Sequence, residues 1–282
     1  MKTFLLLAGL VVCTRVSVLA VTPLTESTFT EIIRTADVVA AANKSVTPAV
    51  TNNVFKAPDL VRTGPASRVE MTAPDQTITR VGANTVFTFE PGGRNILLEK
   101  GSVLFHPPAG VGGGTVRYRG TAAAVLGTTM ICVVLPDGSF KILDLEGHVQ
   151  VTLKNNTQIL LEAGQMVIVS PDGNVFSDVM VFNLQELASR LLLVVGFSNP
   201  LSSLPFIATA IQLQNDQILA GTLPNLVSFL VASLGLEIMP LRNLPPWMVN
   251  APDHTQVYVS PVTTFPIPNQ PWYFDVHHDF DN

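Results

Sequence analysis

Hydrophobic and polar positions alternate through short stretches over the first two thirds of the chain. In TVRY, Val116 and Tyr118 share one face, while Arg117, with Arg119 two residues on, takes the other. In HVQVTL, Val149, Val151 and Leu153 oppose His148, Gln150 and Thr152. A period of two marks a strand with one face buried and the other meeting solvent or a second surface. MICVVL (130–135) and QMVIV (165–169) are apolar almost throughout, as strands covered on both faces are. Turn chemistry punctuates these runs, most plainly Pro136-Asp137-Gly138 and Pro171-Asp172-Gly173. There proline sets φ, aspartate bonds its own backbone and glycine accepts positive φ. Residues 28–173 are therefore expected to form a mainly β, antiparallel, sandwich-like domain. ILLEKGSVL, ILDLEGHV and ILLEAGQMV each place a glycine (Gly101, Gly147, Gly164) after an apolar, glutamate-bearing run. Their unequal spacing fits strand–glycine corner–strand units and not a solenoid of fixed period.

The pattern changes after Asn174. FNLQELASRLLLVV, LPFIATAIQLQNDQIL and LPNLVSFLVASLGL repeat apolar residues at helical spacing, so 174–239 is expected to be a short helical segment. Ser203 and Thr222 are candidate N-caps. LPNLVSFLVASLGLEIM is apolar enough to raise membrane contact, but Pro224, Asn225 and Glu237 interrupt it, and no firm span is expected. From Pro240 to Asn282 no period survives and proline dominates, which predicts an extended or disordered tail; Trp247, Trp272, Tyr273 and Phe274 could dock it onto the protein or a partner.

At the other end, Met1–Ala20 has the form of a signal peptide. Lys2 precedes the apolar run FLLLAGLVVC, and small residues lead to a cleavage point after Ala20. This predicts a periplasmic or secreted protein. Removing Lys2 and Arg15 with the leader takes the net charge from −5 to −7. Nothing in that balance builds a phosphate-neutralising stripe, so nucleic acid is not an expected partner. Cys13 leaves with the leader, and Cys132, among Met130, Ile131, Val133 and Val134, reads as a buried structural thiol. The fold is then held by its core and not by a disulfide.

Candidate chemistry is sparse. Nucleophile elbows, zinc-protease motifs and Walker loops are absent, and GVGGG (110–114) lacks the Lys-Ser/Thr of a phosphate loop. Glu99, Asp137, Asp144, Glu146 and Glu162 could be paired for glycoside hydrolysis, but turn bonding and solvation are the simpler account of them. His106 and His148 are expected to face solvent. His277 and His278 with Asp275, Asp279 and Asp281 could chelate a metal, although a chain terminus seldom holds ligands rigidly. No catalytic residue, cofactor or metal site is expected.

Five segments in order resemble the FecR domain, the periplasmic module of regulators of iron–siderophore uptake. They are DLVRTGPASRVEM (59–71), RVGANTVFTF (80–89), LEKGSVLFHPPAGVGGGTVRYRG (98–120), AAAVLGTTMICVVLPDGSFKILDLEGHVQV (122–151) and LEAGQMVIVSPDG (161–173). Leu126 stands where the family often has an arginine before its Gly-Thr pair. Those regulators carry a cytoplasmic anti-sigma segment and a membrane helix before the domain. A leader at Met1 instead makes this chain similar to the exported FecR-domain proteins. The resemblance implies a non-catalytic binding or signalling module of the bacterial envelope, with another envelope protein or a surface polymer as partner. A structural or assembly component of the envelope is the alternative, and a carbohydrate-active enzyme a more remote one. Arg117 and Arg119 are the candidate partner-binding residues.

Overall fold

A computed structural model describes residues 22–223 and 226–239. Among them the first strands are β1 (Glu26–Ile33), β2 (Ala36–Val39), β3 (Val46–Pro48), β4 (Val54–Lys56), β5 (Leu60–Thr63), β6 (Arg68–Thr72), β7 (Ile78–Val81) and β8 (Val86–Glu90). The chain continues with β9 (Asn95–His106), β10 (Gly114–Tyr118), β11 (Thr121–Val125), β12 (Thr129–Val134), β13 (Phe140–Glu146) and β14 (His148–Thr152). It then forms β15 (Gln158–Glu162), β16 (Gln165–Val169) and β17 (Met180–Val181), followed by α1 (Leu184–Arg190), α2 (Leu192–Val195), α3 (Leu204–Leu219) and α4 (Phe229–Ser233).

The strands make two face-to-face layers joined through β9. Its first half pairs with β8 and β10, and its second half with β7 and β12. One layer, the inner sheet, runs β4-β1-β6-β7-β9-β12-β13-β16-β17. The other, the outer sheet, runs β3-β2-β5-β8-β9-β10-β11-β14-β15. The crossing bend falls at Gly101, at φ +85°, where an added Cβ would lie 2.5 Å from the Thr85 Cα. Only glycine fits a left-handed backbone that close to another strand. The sheets are mainly β, as the alternation predicts, but not wholly antiparallel: β10 pairs parallel with β9. The loop 107–113 returns the chain to the same end of the sheet, which a tight hairpin cannot do.

Two apolar layers result. Met130, Cys132, Phe140 and Ile142 point between the sheets, where Phe29, Phe55, Phe87 and Phe89 pack edge-on or tilted against one another. Ile131, Val133, Leu143 and Leu145 point the other way, onto the helices. That double cover is why MICVVL shows no alternation. Cys132 is fully buried and burial pushes its thiol well above the ordinary range, as suits a structural residue.

Helical starts and stops differ in part from expectation. The Asn183 side chain caps α1 by accepting from the Glu186 N–H at 2.8 Å. Ser203 holds the N-cap position of α3, but its hydroxyl bonds to Thr129 Oγ1, 2.7 Å away, instead of capping. Thr222 begins no helix: its N–H and Oγ1 both donate to the Gln217 carbonyl and close α3. Within the third helical stretch the described residues hold the five of α4, which ends as Gly235, at φ +78°, turns the chain over Val133 and Leu135. Among the described residues no helix is long and apolar enough to cross a membrane. The leader and the tail lie outside the described residues.

Two fully buried cations fasten the helical layer to the inner sheet. Arg80 on β7 pairs with Glu70 at 2.7 Å and donates to the carbonyls of Leu193, Val194 and Asn199, with the Phe197 ring 4.5 Å from its guanidinium carbon. Lys141 on β13 donates to the carbonyls of Ala232 and Leu234. Replacing Arg80 with Met strands a buried Glu70 carboxylate and three carbonyls. Urea denaturation of Arg80→Met is expected to show a loss of about 3–5 kcal/mol; a loss within error would mean that Arg80 does not fasten the layer.

Candidate partner-binding surface

Register across the outer sheet lines up one rung of side chains facing away from the core. Asn95, Thr115, Ala124, Gln150 and Leu160 are successive partners across β9, β10, β11, β14 and β15. Alanine at the middle of the rung leaves a floor between taller neighbours. The result is a cleft of about 690 Å³ over Ala124, flanked by Thr115 and Gln150. Leu126 and Leu160 rise at its rim, 83% and 59% exposed. The glycine loop closes one end and is held from below by Arg94, whose buried guanidinium donates to the Gly113 carbonyl at 2.6 Å and to Thr77 Oγ1 at 2.6 Å. Arg94 also pairs with Asp75. Burial raises the Asp75 carboxyl, but hydrogen bonds from Thr77 and Arg94 outweigh it and hold the group below its ordinary value.

A second cleft of about 460 Å³ lies between the turns at 146–148 and 162–163 and helix α3. Leu204, Ile207, Ile211 and Gln214 bury one face of that helix. Phe206, Ala210 and Leu213, at helical spacing, line the cleft from the other; Phe206 and Leu213 are 62% and 60% exposed. Gly147 and His148 line both clefts, so the two meet at that turn as one bent groove. Apolar side chains exposed together along a groove are a mark of an interaction surface.

The two candidate arginines part company. Arg117 sits one rung from the cleft on the same sheet face, half exposed, with Nε 3.7 Å from Glu90. Arg119 lies beyond the end of β10 at φ +46°, stacked 5.2 Å from the Tyr118 ring and beside Gly138. Arg117 was legible from alternation, but the four exposed apolar side chains were not, because in sequence they look like core.

Beneath the bend lies a polar cluster that corrects several expectations. His106 does not face solvent: it is buried, with Nδ1 3.0 Å from Thr129 Oγ1. Burial lowers its pKa, outweighing a backbone hydrogen bond at Thr128. Glu146 is buried too and accepts from Thr129 Oγ1 at 2.8 Å; desolvation raises its carboxyl. Asp144 is fully buried between the sheets. Its Oδ1 accepts the Glu146 N–H at 3.0 Å while Oδ2 has no partner. Burial, then repulsion from Glu146 and Glu162, pushes it up to about 8. Neither Asp144 nor Glu146 is the solvated turn acid that its position suggested. Asp137 is one, bonded to Ser139, and Glu99, His148 and Glu162 are exposed. Thr129 and Ser203 are themselves fully buried, so this cluster ties α3 to the inner sheet and offers no open reaction centre. Among the described residues no three His, Cys, Asp or Glu side chains converge to hold a metal ion. The tail cluster around His277 and His278 lies outside them.

Residues 59–150 match the model of the FecR protein family, so the resemblance holds from the start of β5 into β14 and takes in the first cleft up to Gln150. Two crystal structures described as a "putative anti-sigma factor" from Parabacteroides distasonis are similar, at 20% and 19% identity and a TM-score of 0.40 each. Each match covers 46% of this chain, and the chain spans 63% and 62% of theirs. No curated protein matches.

Asp144 gives the fold a measurable pH dependence. A carboxyl raised on folding binds its proton more tightly in the native state. Its contribution is therefore complete below the unfolded value near 3.9 and is lost as pH climbs through about 8. Asp144→Asn is expected to remove that fall, so that the stability difference between variant and parent grows in the variant's favour from pH 4 to 8 in urea titrations. A difference that stays constant with pH would contradict it.

Proposed function

We propose that this protein is an exported, non-catalytic regulatory module that binds another protein of the bacterial envelope through the bent groove. The carrying observation is the alignment of Leu126, Leu160, Phe206 and Leu213 along one depression that begins within the FecR-matched residues. The chemistry of its walls selects the partner. Apolar rims want apolar side chains, and the Thr115–Gln150 rung supplies hydrogen-bonding groups that a peptide backbone can satisfy. Arg117, one rung away and only loosely paired, suits an acidic residue at the partner's edge. Export rests on the leader-like Met1–Ala20, and regulation on the FecR match.

Capture from an envelope fraction by the full chain tests the site. Leu126→Asp with Leu160→Asp is expected to weaken recovery of the partner at least about tenfold. Arg117→Ala should weaken it less and mainly at low salt, and Arg119→Ala should leave it unchanged. Equal recovery with parent and the double variant, both folded by circular dichroism, would end the reading. Export is checked separately, by N-terminal sequencing of the mature protein, which should begin at Val21.

A further inference from the structure

We propose that the chain's own C-terminal segment, residues 240–282, folds back into the groove and occupies its α3 wall. This rests on the groove described above and not on the existence of a partner.

The point of departure favours it. The last described residues run along the helical layer: the Leu192 N–H donates to the Glu237 carbonyl, and the Met239 N–H to the Arg190 carbonyl at 2.8 Å. Helix α1, which ends at Arg190, is itself bound to α3, through Gln214 at Leu184 and Asn215 at Gln185. The segment therefore leaves from the layer that carries Phe206 and Leu213. Reach is ample. Forty-three residues remain after Met239, and at about 3.3 Å each they span on the order of 140 Å. A body of this size has a radius of gyration of about 17 Å.

Composition supplies the affinity. The segment holds both tryptophans of the protein, Trp247 and Trp272, two of its three tyrosines and eight of its 21 prolines. Proline fixes φ, so docking a proline-rich chain orders little that was free, and aromatic side chains bury large area for few rotors. Tethering raises its effective concentration to about the millimolar range, enough to populate even weak docking. The groove offers what those side chains need: apolar walls and no buried unpaired cation among its lining residues.

The placement of tryptophan makes the test direct. With both indoles in the segment, tryptophan emission of the full-length protein reports the segment alone. Emission is expected to be blue-shifted and protected from acrylamide relative to the urea-denatured chain. Phe206→Asp with Leu213→Asp, both at exposed positions, should lower the docked-to-free ratio at least about tenfold. The emission of that variant should move toward the denatured value while its far-ultraviolet circular dichroism stays that of the parent and its urea midpoint falls only by the lost docking. Native emission equal to the denatured value would overturn the proposal, and so would a blue shift that the groove substitutions leave in place. The readout needs no partner. Capture that the Leu126 and Leu160 substitutions leave unchanged, together with a groove-sensitive shift, would reject the partner reading and keep this one; groove-sensitive capture with no shift would do the reverse.

Discussion

A sheet that is apolar on both faces needs a second cover, and two buried cations fasten it here. Helix C-termini leave carbonyls without partners and carry partial negative charge. Arg80 and Lys141 reach out of the inner sheet to such carbonyls, the first within α2 and just beyond it at Asn199, the second at the end of α4. Each satisfies acceptors that would otherwise be buried and orphaned, and each has its own donors fully satisfied only while the helical layer is in place, Arg80 keeping just Glu70 without it. The dependence is mutual. Burial lowers the Lys141 ammonium to about 7, because the site is shielded from water.

The groove inherits its shape from that arrangement. One wall belongs to the outer sheet, the other to α3, and α3 is fixed by Ser203 at Thr129 and by Gln214, which accepts the Leu184 N–H and donates to the Phe182 carbonyl. The corner between the clefts is equally constrained. Gly147 stands at φ +82°, where a Cβ would meet Thr128 Oγ1 at 2.6 Å. A groove built from a rigid sheet, a pinned helix and a glycine corner exists before anything binds, and preorganisation reduces the entropy that binding must overcome.

Much of the β architecture could be read from single strands, because alternation is a local signal. Val116 and Tyr118 turn inward and Arg117 outward, as their spacing requires. Ile131 and Cys132 face opposite cores, as an unbroken apolar run implies. What could not be read was which polar residues meet a distant element. Arg80, Lys141, His106 and Asp144 have the types and neighbours of surface residues, and only the helical layer or the opposing sheet makes them interior. The parallel pairing of β9 with β10 was hidden for the same reason, since it depends on the route of the 107–113 loop and on the bend at Gly101. At the groove the ambiguity runs the other way. Phe206 and Leu213 have the spacing of a buried helical face, and nothing local says that α3 already buries Ile207 and Ile211 instead.

A preformed groove with a tethered occupant has a consequence for any partner. An external chain meets only the fraction of molecules whose groove is empty, so its apparent affinity falls by that fraction. If the tether holds the segment in place nine times in ten, the partner binds about tenfold more weakly than the bare groove allows. By linkage, a bound partner disfavours the segment by the same factor and releases Trp247 and Trp272. The two occupants then form a switch that moves no part of the sandwich: the sheets, the corner at Gly147 and the cation-fastened layer stay fixed, and only the identity of the chain in the groove changes.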